Sequence, residues 1–209
     1  MLKLAVIGAG TIGRTHIERA LSDSAIHLVG VCDPDPSARA WLQERQVEWF
    51  EDHMAMLRRT QAQAVVVATP NDAHAEVVLD MLAQGAAVLV EKPIADTVDN
   101  ARRIHRAATD SGLPVLVGHQ RRYNPIMRQA RDIVTSGLLG RPVCVTALST
   151  WYKDDDYFKA EWRTRPGGGP VLINLIHDLD LLRFLYGDIE SLHALSSSAV
   201  RGHPVEDTA

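Results

Sequence analysis

The first residues that could do chemistry form a glycine-rich turn near the N-terminus, Gly8-Ala-Gly10-Thr-Ile-Gly13. The first glycine of such a turn permits a tight bend, the second lets the backbone approach a pyrophosphate, and the third lets a helix pack against a strand. Free N–H groups at the start of the following helix would face the phosphates. The turn therefore predicts a dinucleotide site, with contacts from Gly8, Gly10, Thr11, Ile12 and Gly13.

An acidic residue follows at a spacing typical of dinucleotide-binding folds. Asp33 lies 20 residues after Gly13, at the end of the predicted second strand. A carboxylate there can accept hydrogen bonds from the adenosine ribose and would repel a 2′-phosphate. Arg39 is the only arginine close to Asp33 along the chain, and it lies several residues into the next helix. We therefore predict NAD rather than NADP; the alternative is a structural turn, with Asp33 capping that helix.

Polar segments follow three further apolar runs. One begins at Thr69, the next is Glu91-Lys92-Pro93, and the third runs from Gly118 to Pro125. Because ligands bind outside the carboxyl ends of parallel strands, these segments should converge on one crevice. The later motifs in chain order are Trp162-Arg163, the triplet Gly167-Gly168-Gly169, and His177.

The order and spacing of these motifs resemble the Gfo/Idh/MocA family of oxidoreductases, from Leu2 to the end of the chain. Glu-Lys-Pro, placed after the glycine turn, is the most specific element of the resemblance. The resemblance implies that Lys92 reaches a substrate oxygen and that Glu91 lies near the nicotinamide ribose. It also implies three residues along the nicotinamide half of the cofactor, namely Thr69, Asn71 and His74.

One helix departs from the family pattern. Members with a polyol dehydrogenase site resemble one another in carrying an aspartate four residues before the histidine, and that position is Ile173 in this sequence. In a regular helix, Asn174 and His177 would share a face. We predict that His177 is the acid/base, that Asn174 orients substrate or the imidazole, and that Lys92 polarises the reacting oxygen. Asp180 could orient the imidazole.

Further polar residues are candidates for substrate binding. Arg122, Asn124 and Arg163 would suit a polyhydroxylated or carboxylated substrate, or could be solvated charges and loop anchors. The histidines and cysteines have no metal-binding spacing, so we predict no metal. The sequence thus predicts an NAD-dependent oxidoreductase acting on a sugar, inositol or similar polyol. The alternatives are a non-catalytic NAD-binding regulator or a lyase that oxidises its substrate transiently.

The elements that must position these residues alternate as strand and helix, which predicts the α/β class. Residues 1–119 should form a Rossmann domain with a doubly wound parallel sheet. Residues 120–209 should form a substrate and oligomerisation domain of α+β type with a largely antiparallel sheet, apparently truncated. Its predicted elements are a helix over 125–136, a strand over 142–151, a helix over 170–186 and a strand over 189–200.

Composition narrows the function classes. The net charge of −4 and the absence of basic clusters longer than a pair disfavour nucleic acid as a partner. No apolar run approaches the ~20 residues needed to cross a bilayer. Two isolated cysteines, Cys32 and Cys144, suit a reducing compartment, so we expect a cytoplasmic protein. An unfinished sheet would leave an unpaired edge, from which we expect a homo-oligomer.

Overall fold

The computed structural model describes all 209 residues. The chain divides into two compact units, Met1–Gly118 and His119–Ala209. No helix in either unit combines the length and the apolar character that crossing a bilayer requires.

The first unit is built on a six-stranded sheet in which every neighbouring pair of strands is parallel, in the order β3-β2-β1-β4-β5-β6. This confirms the predicted Rossmann sheet. The strand order reverses between β1 and β4, and such a switch point opens a crevice at the carboxyl ends of the strands. The strands are β1 Leu2–Ile7, β2 Ile26–Cys32, β3 Trp49–Phe50, β4 Ala64–Val67, β5 Ala87–Val90 and β6 Val115–Val117.

Five helices connect these strands and cover the sheet: α1 Thr11–Ser22, α2 Ser37–Gln43, α3 His53–Thr60, α4 His74–Ala83 and α5 Val98–Ser111. Local sequence fixes several of their ends. The Asp52 carboxylate accepts a hydrogen bond from a backbone N–H at the start of α3, and the Thr97 hydroxyl does the same for α5. Gly112, with φ of +66°, ends α5. Apolar residues form one core cluster around Ile17 and another around Met81.

The second unit contains helices but no strand ladder. Its helices are α6 Pro125–Thr135, α7 Asp155–Phe158 and α8 Ile176–Tyr186, with 3-10 turns at Gln120–Tyr123 and Glu161–Thr164. The strands predicted over 142–151 and 189–200 do not form, and the one antiparallel pairing is an isolated bridge between Ser197 and Thr208. Alternating apolar residues make a strand only when a neighbouring strand accepts their backbone hydrogen bonds. The predicted antiparallel sheet is therefore not observed.

The helix predicted over 170–186 begins with a π-helical turn, Val171–Leu175, before α8. Glu206 anchors its start, because its carboxylate accepts a hydrogen bond from the Val171 N–H at 2.9 Å. The same carboxylate occupies the space that a Cβ atom on Gly169 would need. A π turn is wider than an α turn, so residue spacings across it differ from those of a regular helix.

Candidate cofactor and substrate site

Each glycine of the turn between β1 and α1 meets a different geometric demand. Gly8 has φ of +97°, and a Cβ atom on it would lie 2.5 Å from the Ala68 carbonyl oxygen. A Cβ atom on Gly13 would overlap the carbonyl oxygen of Gly8. Gly10, in contrast, has no atom within 4 Å of its Cβ position. The turn is therefore closed on its protein side and open at Gly10, as a backbone that approaches a pyrophosphate requires.

A cavity of about 300 Å³ adjoins this turn. Asp33 lies on its wall, where one carboxylate oxygen accepts a hydrogen bond from Ala9 N at 2.6 Å and the other from Asp35 N at 2.8 Å. These two bonds fix the carboxylate beside the cavity, where we predicted the adenosine ribose. Ile12 follows Thr11 in α1 with its side chain about half exposed. The residues that line the cavity are Ala9, Gly10, Thr11, Arg14, Asp33, Asp35, Ser37 and Ala38.

Thr69, in the loop after β4, provides a second indication of a ligand. Its hydroxyl oxygen is buried and has no hydrogen-bond partner in the protein. Leaving such a group unpaired costs about 1–3 kcal/mol, a cost that a bound ligand would remove. The backbone N of Thr69 lies 3.0 Å from the Cβ position of Gly8, so this loop adjoins the glycine turn. The open Gly10 and the unpaired Thr69 hydroxyl both fit a dinucleotide.

His74 connects two loops instead of facing a ligand. Its ring is fully buried, with Nδ1 2.8 Å from the Pro93 carbonyl oxygen and Nε2 3.0 Å from that of Thr69. Burial lowers the pKa of His74, although both carbonyls act in the opposite direction. This position differs from the expected contact with the cofactor, because no ring atom is exposed. Asn71 is also buried, in the 3-10 turn directly before α4.

Glu91 and Lys92 lie at the carboxyl end of β5, and the Lys92–Pro93 peptide bond is cis. The Glu91 carboxylate accepts hydrogen bonds from Nε2 of His16 at 2.8 Å and from the Lys92 backbone N at 3.2 Å. Burial would raise the pKa of Glu91, but the hydrogen bond and charge of His16 together with Lys92 leave it lowered. A Cβ atom on Gly118 would approach this carboxylate to 3.1 Å, so the glycine leaves room for it.

His16 is the residue in this group that the sequence reasoning missed. It lies three residues after Gly13, on the first turns of α1, and only folding brings it to Glu91. The available signal was this spacing, because a side chain one helical turn past the third glycine stays close to the turn.

In the second unit, His177 and Asp180 are both buried residues of α8. The ring of His119 meets that of His177 edge-on, with centroids 6.4 Å apart. Nδ1 of His119 lies 3.9 Å from an Asp180 carboxylate oxygen. The Asp180 carboxylate therefore lies close to His119, and the His119 ring in turn contacts that of His177, the predicted acid/base.

Arg122 forms a bidentate ion pair with Asp180. Its Nε donates to one carboxylate oxygen at 2.7 Å, and its Nη2 donates to the other at 2.5 Å. The hydrogen bonds to Asp180 raise the pKa of Arg122 further above its already high value. The neighbouring Arg121 pairs with Asp178 at 2.7 Å. Because Asp180 occupies the Nε–Nη2 edge of the Arg122 guanidinium, the geometry favours the loop-anchor alternative over substrate binding.

Asn174 lines a cavity of about 830 Å³ with Asp178 and Lys153, and His177 is not on that wall. Its amide nitrogen lies 3.3 Å from the Tyr157 hydroxyl. The prediction that Asn174 and His177 share a face assumed a regular helix, and the π turn changes that spacing. Ile173, four residues before His177, is buried as His177 is.

The two remaining substrate candidates have different surroundings. The Asn124 side chain accepts a hydrogen bond from Ile126 N at 2.9 Å and so caps α6. Arg163 donates to the Tyr157 carbonyl oxygen at 2.8 Å, and its guanidinium carbon lies 4.0 Å from the centre of the Tyr157 ring. Its Nε is buried without a hydrogen-bond partner. Capping accounts for Asn124, whereas the surroundings of Arg163 leave one of its donors unpaired.

Two family models match the chain. Residues 2–119 match the model described as the oxidoreductase family, NAD-binding Rossmann fold, and residues 127–209 match the GFO/IDH/MocA C-terminal domain. The first match covers more than half of the chain and includes the glycine turn, Asp33 and Lys92. The first unit is accordingly an NAD-binding domain.

Curated relatives are similar over nearly the whole chain. The rhizopine catabolism protein MocA of Rhizobium meliloti is 29% identical over 208 residues, which is 97% of this chain and 64% of the relative. An inositol 2-dehydrogenase of Rubrobacter xylanophilus is 34% identical over 200 residues, which is 92% of this chain and 54% of the relative. The chain thus spans between about half and two thirds of the length of the relatives it matches.

Solved structures show the same partial coverage. The WlbA dehydrogenase from Bordetella pertussis, in complex with NADH and UDP-GlcNAcA, has a TM-score of 0.93 and 28% identity, over 99% of this chain and 64% of its own. A putative myo-inositol dehydrogenase from Sinorhizobium meliloti has a TM-score of 0.74 and 26% identity, over 90% of this chain and 56% of its own.

Proposed function

Because the chain belongs to the Gfo/Idh/MocA family of oxidoreductases, we propose that it transfers a hydride between NAD and a CH–OH group of a sugar, inositol or similar polyol. The observation that carries the proposal is the position of Lys92. It follows Glu91 at the carboxyl end of β5, in the same domain as the NAD-binding turn. Ligands bind at this edge of an open parallel sheet. An ammonium group there can serve a reaction in which an alcohol oxygen gains negative charge.

The proposed chemistry divides between two residues. Oxidation of an alcohol removes a hydride from carbon and a proton from oxygen, and bound NAD is the hydride acceptor. Lys92 stabilises the developing alkoxide through its positive charge. His177 removes the proton, since histidine is the side chain that most often serves as acid/base near neutrality. Ile173 has no group that could take this proton, so the task falls to His177.

Glu91 would set the charge next to Lys92. Its pKa is lowered in the folded chain, so it is ionised at neutral pH and favours the charged form of the neighbouring lysine. The hydrogen bond from His16 holds its carboxylate in place. We propose that this acid also contacts the nicotinamide ribose.

The runner-up function is a non-catalytic NAD-binding regulator. The buried Ile173, at the position where polyol dehydrogenases of the family carry an acid, favours it. The presence of both Lys92 and His177 favours the enzyme, because a sensor needs neither a proton acceptor nor an alkoxide stabiliser.

Within the substrate class, the comparisons support a nucleotide-linked sugar acid as the first compound to test. The backbone follows the WlbA dehydrogenase, whose structure holds UDP-GlcNAcA, over 99% of the chain at a TM-score of 0.93. The match to the putative myo-inositol dehydrogenase has a TM-score of 0.74. Arg163, with its unpaired Nε, would suit the carboxylate of such a sugar.

The test is an NADH absorbance screen with the 209-residue chain and a panel of UDP-linked sugar acids, free sugars and inositols. We expect NADH to form with at least one member of the panel. NAD binding without NADH formation from any compound would contradict the enzyme and support the regulator. Product analysis in the same samples detects the lyase alternative, which converts substrate without net NADH.

A further inference from the structure

Arg14 is a cation on the wall of the cavity that adjoins the glycine turn. It lies in α1, directly after the third glycine, and its Nε donates a hydrogen bond to the Ala9 carbonyl oxygen at 3.1 Å. Its guanidinium carbon lies 4.8 Å from the centre of the Trp41 ring. The hydrogen bond and the aromatic ring together hold the guanidinium in place beside Asp33 and the start of α2.

The guanidinium keeps most of its hydrogen-bonding capacity. Arginine carries five N–H donors in a planar fork, and the bond to Ala9 uses the single donor on Nε. The two terminal amine groups match the geometry of a phosphate. Ser37, at the first position of α2, lines the same cavity, and its side chain hydrogen-bonds to Asp35. The remaining donors of Arg14 are therefore suited to an anion at this cavity, whose wall also carries Asp33.

The charges around the cavity oppose one another. Asp33 and Asp35 are the two carboxylates on its wall, and both oxygens of Asp33 already accept backbone hydrogen bonds, which offset part of its charge. The charge of Arg14 also acts on Asp35. Hydrogen bonds from Ser37 are the main cause of the lowered pKa of Asp35, and the positive charge of Arg14 lowers it by a smaller amount. Arg39, the cation considered from sequence, instead lies over the Trp49 ring and does not line this cavity.

We propose that Arg14 is a specificity-determining residue that binds the 2′-phosphate of NADP, so that the chain accepts NADP as a second, weaker cofactor beside NAD. Asp33 favours the free 2′-hydroxyl of NAD, and Arg14 limits the discrimination against NADP. The two residues thus set the cofactor preference in opposite directions. The proposal concerns binding at the adenosine end and is independent of the substrate proposed for the enzyme.

The test is calorimetric titration of NAD⁺ and NADP⁺ against the wild type, Arg14→Ala and Arg14→Lys. We expect the wild type to bind both, NAD⁺ more tightly. Arg14→Ala should weaken NADP⁺ about 10-fold or more, the scale of lost charge-assisted hydrogen bonds, and NAD⁺ by less than about 3-fold. The NADP⁺ affinity of Arg14→Lys should lie between those of the wild type and Arg14→Ala, because lysine keeps the positive charge but lacks the planar fork of donors.

The matched control is Arg19→Ala, which removes an exposed arginine from the same helix and should change neither affinity. Thermal unfolding of each variant checks that α1 is intact. A fragment pair that differs only in the 2′-phosphate, 2′,5′-ADP and 5′-AMP, localises the effect, and only the former should depend on Arg14. Equal weakening of NAD⁺ and NADP⁺ would overturn the proposal and assign Arg14 to the shared diphosphate. Undetectable binding of NADP⁺ to the wild type would also overturn it.

Discussion

The two units differ in what holds their functional residues. In the first unit, strands paired on both sides bury β4 almost completely and fix the turn at Gly8 and Gly13 through backbone contacts. In the second unit, where no strand ladder forms, side-chain ion pairs join the segment before α6 to α8, Arg121 with Asp178 and Arg122 with Asp180. A cofactor site set by the backbone should be sensitive to added atoms, whereas a site held by charge pairs should be sensitive to lost charges.

The largest expected effect comes from adding one methyl group to the turn. Gly13→Ala should lower the free energy of unfolding by about 3 kcal/mol or more and abolish NAD binding, because its Cβ atom would overlap the Gly8 carbonyl oxygen. Gly10→Ala should fold with a free energy of unfolding within about 0.5 kcal/mol of the wild type, since nothing lies within 4 Å. It should nevertheless weaken NAD about 10-fold by blocking the approach of the pyrophosphate. Urea unfolding measures the stability of both variants, and titration with NAD measures their affinity.

The comparison between these two variants tests whether the pyrophosphate binds at the open side of the turn. Equal stability of the two variants would contradict the close packing of α1 against β1. Unchanged NAD affinity in Gly10→Ala would contradict a pyrophosphate at the open side of the turn.

In the second unit, we expect a loss of stability when one charge of an ion pair is removed. Asp180→Asn should lower the free energy of unfolding by about 2 kcal/mol, because it leaves Arg122 beside a neutral side chain in a partly buried pair. The control is Asp99→Asn, which breaks a pair between exposed side chains of α5 and should cost less than about 0.5 kcal/mol. Urea unfolding of Asp180→Asn, of Arg122→Met and of the double variant gives the coupling energy between the two residues, and Asp99→Asn is measured beside them. Additive effects of the Asp180 and Arg122 substitutions would contradict the anchor role.

The sequence predicted the first unit well because its signals are local. Short apolar runs and a glycine turn each act over a few residues, so the parallel sheet of the first unit and the position of Asp33 beside the glycine turn followed from the pattern. The pair of His16 and Glu91 did not, since 75 residues separate them and only the fold joins them.

The second unit was less predictable because its features depend on partners. Alternation over 142–151 favours a strand but cannot supply the neighbouring strand that would make one. The π turn at Val171–Leu175 has no recognised sequence signal, and it changes the spacing on which the predicted shared face of Asn174 and His177 depended. Arg122 was an expected substrate ligand because sequence does not show that Asp180 occupies its fork.

The smallest expected effect is a change in how the free energy of unfolding depends on pH. The pKa of His74 is lowered below its ordinary value of 6.5 in the folded chain, so the unfolded chain binds the proton first. Its contribution to stability is therefore present above about pH 6.5 and is lost as the pH falls further. The wild type should lose more stability than His74→Gln between pH 7 and pH 5.5, by urea unfolding at each pH. The control is His105→Gln, at an exposed position of α5, which should keep the wild-type slope.

The central claim is that the first unit binds NAD while His177 of the second unit supplies acid/base chemistry to the same reaction as Lys92. The most direct test measures turnover and NAD affinity together for the wild type, Lys92→Ala and His177→Ala, with Lys159→Ala as the control at an exposed lysine. Both site variants should lose turnover by roughly 10²-fold or more, and His177→Ala should keep the wild-type NAD affinity. Wild-type turnover in His177→Ala, or loss of NAD binding in that variant, would contradict the account.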